Sequence, residues 1–225
     1  MRSLFAYTWD FEAIPDAMPL LLEGAWMTVK LTVITMVLSL VLGFVVCVMR
    51  LSRYRALRWP AYAYTELFRT TPLLVQIIWF FFVLPKTFDI NIDVFAMGVL
   101  ALTLNVSAFV TEIFRAGIQS VDRGQREAAL STGMTEWVAM RRIVIPQAVR
   151  RVVPLLGAVW ISLFKDTSLV AVIGIHELMF EGRELALATY RPVETFTVVS
   201  LLYFALTYPQ SLGLNWLYER YRVVD

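Results

Sequence analysis

Long apolar stretches without charge constrain this chain more than any other feature of its sequence. Residues 31–49 contain no acidic or basic side chain, and the same holds for 70–85, 94–111 and 195–218. A helix needs about 20 mostly apolar residues to cross ~30 Å of hydrocarbon, so these stretches match the thickness of a bilayer. Hydrophobic residues make up 59% of the 225 positions and charged residues only 17%, which excludes an ordinary soluble domain.

The apolar stretches predict an all-α membrane protein, because backbone polar groups in lipid must be satisfied within each spanning segment. We expect one domain, 1–225, with five transmembrane helices at about 27–49, 60–85, 94–116, 152–175 and 195–218. Residues 1–23 carry acidic residues and prolines before any long apolar core, which is the wrong layout for a cleaved signal peptide. They predict an interfacial segment, with Trp9 and Phe11 at headgroup level.

Arginine and lysine are distributed unequally between the two expected sides of the membrane. Of the 20 such residues, 13 fall on the side that carries the C-terminus and four on the side that carries the N-terminus. The other three, Lys30, Arg69 and Lys165, lie in or at the edge of a span. Because positive residues accumulate on the cytoplasmic side, we expect the N-terminus outside and the C-terminus in the cytoplasm.

The remaining composition excludes several classes of function. A net charge of +2 does not provide the basic surface of a nucleic-acid-binding protein. One cysteine, Cys47, and one histidine, His176, leave no intrachain disulfide and no His/Cys metal cluster. The sequence has no GxxxxGK(S/T) stretch for ATP and no nucleophile–base set in its spans. We therefore expect no enzyme activity, no metal and no cofactor.

The polar loop from 120 to 151 predicts a pair of short helices. Asp122 is placed to cap the first helix, with Gln125 three residues later, and Gly133 suits a turn that needs a positive φ. Thr135 is placed to cap a second short helix, which we expect to end near Pro146. A helix–turn–helix on the cytoplasmic face indicates a docking element, and an ordinary loop packed on its own bundle is the alternative.

The same loop resembles the EAA loop of ABC importer permeases. The matching residues are Glu127, Ala128, Ala129, Gly133, Ile143, Ile145 and Pro146, at the spacing of that family. Ile145 stands where the family usually has Leu, which changes only the shape of an apolar side chain. Three further stretches, 66–76, 112–121 and 164–174, resemble the polar amino-acid branch of the family. Thr70 stands where related chains usually have Gly.

The resemblance implies a permease subunit of an ATP-driven importer in a bacterial-type inner membrane. It implies a second permease subunit, cytoplasmic ABC ATPase subunits on which the EAA loops dock as coupling helices, and an extracytoplasmic solute-binding protein. The expected cargo is a polar L-amino acid of the glutamate/aspartate or general type, moved by alternating access. A basic substrate (arginine, histidine or lysine), glutamine, or a structural subunit without a transport path are the alternatives.

Two adjacent charges, Lys165 and Asp166, interrupt the fourth span. A charge at mid-membrane is costly and is therefore a functional candidate. Neighbouring residues on a regular helix point about 100° apart, so each charge needs another partner or an irregular turn. Thr167 and Ser168 are able to bond the backbone groups that such a turn releases. An amino acid carries both charges, so these four residues predict a substrate site; an ion pair that only fixes packing, such as Lys165 with Glu112, is the alternative.

Other polar residues in the spans are weaker candidates for the same cavity. Asn105 and Glu112 are seven residues apart and therefore share a face of the third span. Gln76 lies beyond Pro72, which is expected to bend the second span. The structural alternatives are a Glu112–Arg115 pair at i,i+3 and a Glu66–Arg69 pair at the same spacing.

Overall fold

In the computed structural model, which describes residues 7–221, the chain forms eight helices. They are α1 (Ala13–Leu51), α2 (Arg55–Thr70), α3 (Leu73–Phe88), α4 (Val94–Gln119), α5 (Arg123–Ser131), α6 (Glu136–Ile173), α7 (Leu178–Thr189) and α8 (Pro192–Tyr221). Two of them contain non-α turns. α3 has a π-helical turn at Trp79–Val83, and α6 has one at Met140–Val144 and ends in a 3₁₀ turn at Thr167–Ile173.

Within the described part of the chain, three helices are long and apolar enough to cross a membrane. They are α1, α4 and α6, and the bent pair of α2 and α3 makes a fourth span if it is counted as one. α8 has 30 residues, but Gln210 and Asn215 follow Pro209 in its second half and make it less apolar. The all-helical membrane architecture agrees with the sequence analysis, whereas the fifth span and the side of each terminus stay predictions.

The core of the bundle lies between α1 and α4, which pack along their length. Gly43 of α1 lies directly against Val110 and the carbonyl of Ser107 on α4. Two hydrogen bonds join the same helices, and we call this contact between α1 and α4 the seam. Thr111 Oγ1 donates to the Gly43 carbonyl at 3.2 Å, and Ser39 Oγ donates to the Thr103 carbonyl at 3.3 Å. Small residues and hydroxyls suit helix contacts in lipid, where close backbone approach and interhelical hydrogen bonds replace the hydrophobic drive.

The first helix is longer than expected. It begins at Ala13 rather than near 27 and continues through Pro19, so residues 13–23 are continuous with the first expected span. Their place at the membrane interface stays a prediction, and residues 1–6 of that segment lie outside the described part of the chain. Leu21 and Ala25 are buried in a cluster with Leu178 of α7. The burial of this turn against α7 explains why the helix extends beyond the uncharged stretch.

The second expected span, 60–85, is broken in the structure. α2 and α3 meet at Thr71 and Pro72 with an angle of 108° between them. Pro72 was expected to bend a continuous helix, but it ends one helix and starts another, because it lacks an N–H and forces the preceding residue out of the helical region. Thr71 accordingly has ψ 143°.

The second helix of the 120–151 loop does not end near Pro146, so that prediction is wrong. α6 runs on from Glu136 through Pro146 into the fourth span. The π turn immediately before Pro146 explains the continuity, since its wider i→i+5 ring removes the need for the missing N–H and relieves the clash of the proline ring.

A buried carboxylate fixes the end of the bundle where α6 meets α7. Glu177 caps α7 by accepting hydrogen bonds from the N–H groups of Met179 at 2.9 Å and Phe180 at 2.8 Å. It also accepts one from the Tyr203 hydroxyl of α8 at 2.7 Å. Burial raises the pKa of Glu177, against the lowering effect of these donors. The side chain of Glu177 thus links the start of α7 to α8 and helps to position α8 against the bundle.

Candidate substrate site and coupling loop

The break between α2 and α3 is held by two buried amide side chains. Gln76 Nε2 donates to the carbonyls of Phe68 at 3.0 Å and Thr71 at 3.1 Å, and Asn105 Nδ2 donates to the Phe68 carbonyl at 2.9 Å. In a continuous helix the Phe68 carbonyl would accept from residue 72, but that residue is Pro72 and has no N–H. Asn105 Nδ2 also donates to Gln76 Oε1 at 3.0 Å. Gln76 and Asn105, both predicted cavity residues, are therefore in contact, and together they stabilise the break between α2 and α3.

Lys165 and Asp166 lie where α6 passes from an α-helix into its 3₁₀ end. Of the two alternatives, the structure therefore shows the irregular turn, and Gly174 ends it with φ 84°. Thr167 Oγ1 donates to the Phe164 carbonyl at 2.7 Å, and Ser168 Oγ to the Lys165 carbonyl at 2.6 Å. Both hydroxyls therefore bond backbone carbonyls one turn earlier in the chain.

Within the described residues, the electrostatic attraction that acts on Asp166 comes from its neighbour Lys165. Lys165 is exposed and Asp166 is half-buried, and neither side chain takes part in an ion pair or a hydrogen bond inside residues 7–221. The 3₁₀ segment that follows them packs against Leu73–Ile78 of α3 and against α4. The charged pair is therefore next to the elements that carry Gln76 and Asn105.

Glu112 is not part of this arrangement. Its carboxylate accepts hydrogen bonds from Arg50 Nη2 at 2.9 Å and from Arg115 Nη2 at 2.6 Å. The predicted i,i+3 pair with Arg115 is confirmed, whereas the Lys165–Glu112 pair is replaced by one with Arg50, which comes from the end of α1. Both Glu112 and Arg50 are nearly buried, with 14% and 12% of their side chains exposed.

The expected Glu66–Arg69 pair does not form among the described residues. The guanidinium of Arg69 instead lies over the ring of Phe109 on α4, 5.7 Å from its centroid. An i,i+3 spacing brings two side chains to one face but does not decide between an ion pair and a cation–π contact.

The 120–151 loop has the predicted helix caps and glycine turn, although its second helix runs on past Pro146. Asp122 caps α5 by accepting from the Gly124 N–H at 2.7 Å, and Thr135 caps the start of α6 by accepting from the Val138 N–H at 3.4 Å. Gly133 forms the turn between them with φ 84°. An ion pair closes the turn, since Arg126 Nη2 lies 2.6 Å from Glu136 Oε2. The two caps, the glycine turn and this exposed ion pair give the loop the shape of an elbow rather than an extended spacer.

The motif residues of the elbow divide into exposed and packed groups. Glu127, Ala128, Gly133, Ile145 and Pro146 are exposed, Ile143 is half-buried, and Ala129 is buried. The sequence analysis missed Trp137, which projects from the same elbow with 69% of its side chain exposed. The signal for it was a large apolar residue in an otherwise polar loop, because such residues anchor protein interfaces.

Comparisons with known proteins agree with this arrangement. Residues 36–223 match the family described as binding-protein-dependent transport system inner membrane component. The chain is 36% identical over 197 residues to the arginine transport system permease protein ArtQ of Bacillus subtilis (strain 168), covering 88% of this chain and 90% of that protein. It is 36% identical over 216 residues to the glutamine transport system permease protein GlnP of Escherichia coli (strain K12), covering 96% of this chain and 99% of that protein.

A solved structure shares the whole architecture. A crystal structure described as an amino acid ABC transporter with histidines superposes with a TM-score of 0.90 and 38% sequence identity, covering 95% of this chain and 100% of that chain. The chain thus belongs to the family of binding-protein-dependent transport system inner membrane components.

Proposed function

We propose that this chain is the permease subunit of an ATP-driven importer that moves a polar L-amino acid across a bacterial inner membrane. Two permease subunits rock about a shared cavity, cytoplasmic ABC ATPase subunits hydrolyse the ATP, and an extracytoplasmic solute-binding protein delivers the cargo. The names of ArtQ and GlnP support an amino-acid cargo. The chain itself is no enzyme, and its sequence has no GxxxxGK(S/T) motif.

The coupling elbow is the observation that carries this proposal. Its exposed face presents Glu127, Ala128 and Trp137 to the solvent, and the Arg126–Glu136 pair and Gly133 hold its shape. α6 continues from the elbow into a membrane span without a break. A displacement of the elbow by a docked ATPase is therefore transmitted along one helix to Lys165 and Asp166 at its other end.

Lys165 and Asp166 supply the chemistry of a cargo site. A zwitterionic amino acid offers a carboxylate to the first and an ammonium to the second, and neither side chain forms an ion pair or a hydrogen bond within residues 7–221. Thr167 and Ser168 fix the 3₁₀ turn that presents them, while Gln76 and Asn105 brace the facing helix break. Glu112 is committed to two arginines and holds the inner end of α1 and α4 together instead of contacting cargo.

The cargo is a glutamate/aspartate-type or general polar amino acid, and arginine and glutamine are the named cargoes of two relatives. Among the alternatives, one observation favours glutamine, which has no net charge. Glu112 is already paired with two arginines, so the remaining charges of the site, Lys165 and Asp166, sum to zero. Uptake of labelled glutamate into vesicles that contain the assembled transporter, with unlabelled glutamate, glutamine, arginine and histidine as competitors, identifies the class.

The site is tested by reversing one charge. Asp166→Lys is expected to abolish ATP-dependent uptake while the ATPase still co-purifies, because the ammonium of the cargo loses its counter-charge. Asp16→Lys is the matched control, since Asp16 is an exposed residue in the first turn of α1, and it is expected to retain uptake. Unchanged uptake in Asp166→Lys rejects the site, whereas absence of ATP-dependent uptake in the unaltered protein rejects the transport proposal itself.

A further inference from the structure

Within residues 7–221, two helices contain a π turn of the same construction. In α3 the turn is Trp79–Val83, and in α6 it is Met140–Val144. The residue after each turn, Leu84 or Ile145, donates from its N–H to the carbonyl five residues earlier, and a proline comes next. π turns occur mostly as single turns inside α-helices and often at functional sites. The turn of α6 lies between the elbow and the membrane span, so its geometry decides how the two are joined.

The first buried residues of α6 change their spacing at this turn. They are Ala139, Val144, Ala148 and Val152, which follow one another at steps of five, four and four residues. A step of four keeps two side chains on one face of an α-helix, whereas five residues turn an α-helix by ~500° and leave the two side chains ~140° apart. Because the π turn closes its hydrogen bond five residues apart, it brings Val144 back to the face of Ala139. The extra residue therefore aligns the buried face of the elbow with that of the span.

Both parts of this aligned face are packed against the bundle. Ala139 is fully buried, and α5 packs against this part of α6. Val144 and Ala148 are buried in a cluster with Val121, which follows α4, and Val152 lies against Gly117 of α4. A rotation of the elbow by one residue would take Ala139 away from α5 while the span stayed in place. The elbow and the span are therefore packed at the same time only if the turn keeps its extra residue.

We propose that Pro146 is a positioning residue for coupling, because it keeps Met140–Val144 in the π form and so sets the rotation of the elbow about the axis of α6. Proline has no N–H to donate to the Arg142 carbonyl, four residues earlier, so the tighter α-helical turn gains no hydrogen bond at this point. The exposed face that carries Trp137 is thereby held in one orientation relative to the membrane span. The inference rests on the proposed function, since it concerns how the motion of a docked ATPase reaches that span.

Removing the proline tests this role through the rotation that follows. Pro146→Ala restores an N–H, and the turn is expected to close as an α-helix, which rotates the elbow by ~100° against the span. In the assembled transporter, the ratio of cargo moved to ATP hydrolysed is expected to fall by about fivefold or more. Deletion of Arg141 together with Pro146→Ala also removes the extra residue and returns Ala139 and Val144 to a four-residue step. This double variant is expected to regain the ratio to within about twofold of the unaltered protein.

Two further measurements separate the rotation from other effects. Pro85→Ala is the matched control, because it makes the same change after the equivalent turn of α3, and it is expected to keep the transport ratio. Amide hydrogen exchange in the purified full chain needs no transport. Exchange over residues 140–147 is expected to be slower in Pro146→Ala than in the unaltered chain, because a continuous α-helix gains a hydrogen bond there.

Each contrary result overturns the inference. Unchanged exchange over 140–147 shows that Pro146 does not hold the turn, and an unchanged transport ratio in Pro146→Ala shows that the rotation has no effect on coupling. A double variant that stays uncoupled shows that the rotation is not the cause, and an equal fall in Pro85→Ala shows a general effect of removing prolines. Absence of ATP-dependent uptake in the unaltered protein instead rejects the proposed function, and the exchange measurement then still decides whether Pro146 holds the π turn.

Discussion

At the scale of single residues, the charges of this bundle have different surroundings. Glu112 pairs with two arginines, whereas the side chains of Lys165 and Asp166 form no ion pair or hydrogen bond in residues 7–221. A buried charge that loses its partner is costly. Glu112 is therefore expected to matter for the stability of the fold, and Asp166 for the binding of something that enters from outside.

Replacing Glu112 tests this division. Glu112→Gln leaves Arg50 and Arg115 without a counter-charge and is expected to lower the free energy of unfolding by ~2–3 kcal/mol, less than a fully buried pair because both side chains keep some solvent contact. Thermal unfolding in detergent measures the change. Glu66→Gln is the control, since Glu66 is half-buried but its side chain forms no ion pair within the described range. Equal shifts in the two variants would contradict the special role of Glu112.

At this scale the sequence predicts contacts of short separation better than long ones. The Glu112–Arg115 pair follows from an i,i+3 spacing, but Arg50 lies 62 positions from Glu112 and no local pattern connects them. Arg50 competes successfully because it ends α1 beside α4, where it takes one carboxylate oxygen while Arg115 takes the other. The i,i+3 spacing of Glu66 and Arg69 also predicted an ion pair that does not form among the described residues, because Arg69 instead contacts the ring of Phe109 on α4.

At the scale of helices, proline ends a helix at one position and is accommodated within a helix at others. Pro72 separates α2 from α3, while Pro146 and Pro154 lie within α6. The missing N–H of proline predicts a break or a kink at each of these positions. Which carbonyls then accept hydrogen bonds from other donors depends on the neighbouring residues. Gln76 and Asn105 provide them at Pro72, and the π turn widens the helix before Pro146.

Gly133 is expected to be required for coupling because of its backbone alone. It has φ 84°, and no atom lies within 4 Å of the position that a Cβ would occupy, so a substitution meets strain but no clash. Gly133→Val is expected to cost ~1–2 kcal/mol at the turn and to lower cargo-stimulated ATP hydrolysis in the assembled transporter. Gly133→Asn, which tolerates a left-handed backbone, is expected to retain it. If valine and asparagine behave alike, the turn geometry is not the cause.

Gly43 is required for the opposite reason, which is lack of space. A Cβ there would lie 2.7 Å from Val110 Cγ1 and 3.0 Å from the Ser107 carbonyl oxygen. Gly43→Leu is therefore expected to separate α1 from α4, to break the Thr111–Gly43 hydrogen bond and to lower the Tm by about 4–8 °C. Gly213→Leu inserts the same side chain into α8 where nothing lies within 4 Å, and its Tm is expected to stay within about 1 °C. A comparable fall in Tm in both variants would show that close packing between α1 and α4 is not what Gly43 provides.

At the scale of the whole molecule, the positive charges predict which ends of the helices face the cytoplasm. Because α6 joins the elbow to the loop before α7, Trp137 and Tyr190 are expected on opposite sides of the membrane. In a Cys47→Ser background, Tyr190→Cys should react with an impermeant maleimide in intact cells, and Trp137→Cys only after permeabilisation. In the chain by itself both native side chains are highly exposed, Tyr190 at 88% and Trp137 at 69%, and expression without the ATPase subunits keeps Trp137→Cys accessible. Labelling of Trp137→Cys from outside would overturn the orientation.

The sequence by itself determined that the chain lies in a membrane and that its polar loop forms a capped elbow. These properties depend on residues that are neighbours along the chain: apolar runs set the solvent, and Asp122, Gly133 and Thr135 act within a few positions of themselves. The tertiary structure alone decided which charges are paired and how the broken helix is held. Asn105 reaches the Phe68 carbonyl from 37 positions away, and in a medium without water an orphaned carbonyl or charge is satisfied by whichever helix the fold brings beside it.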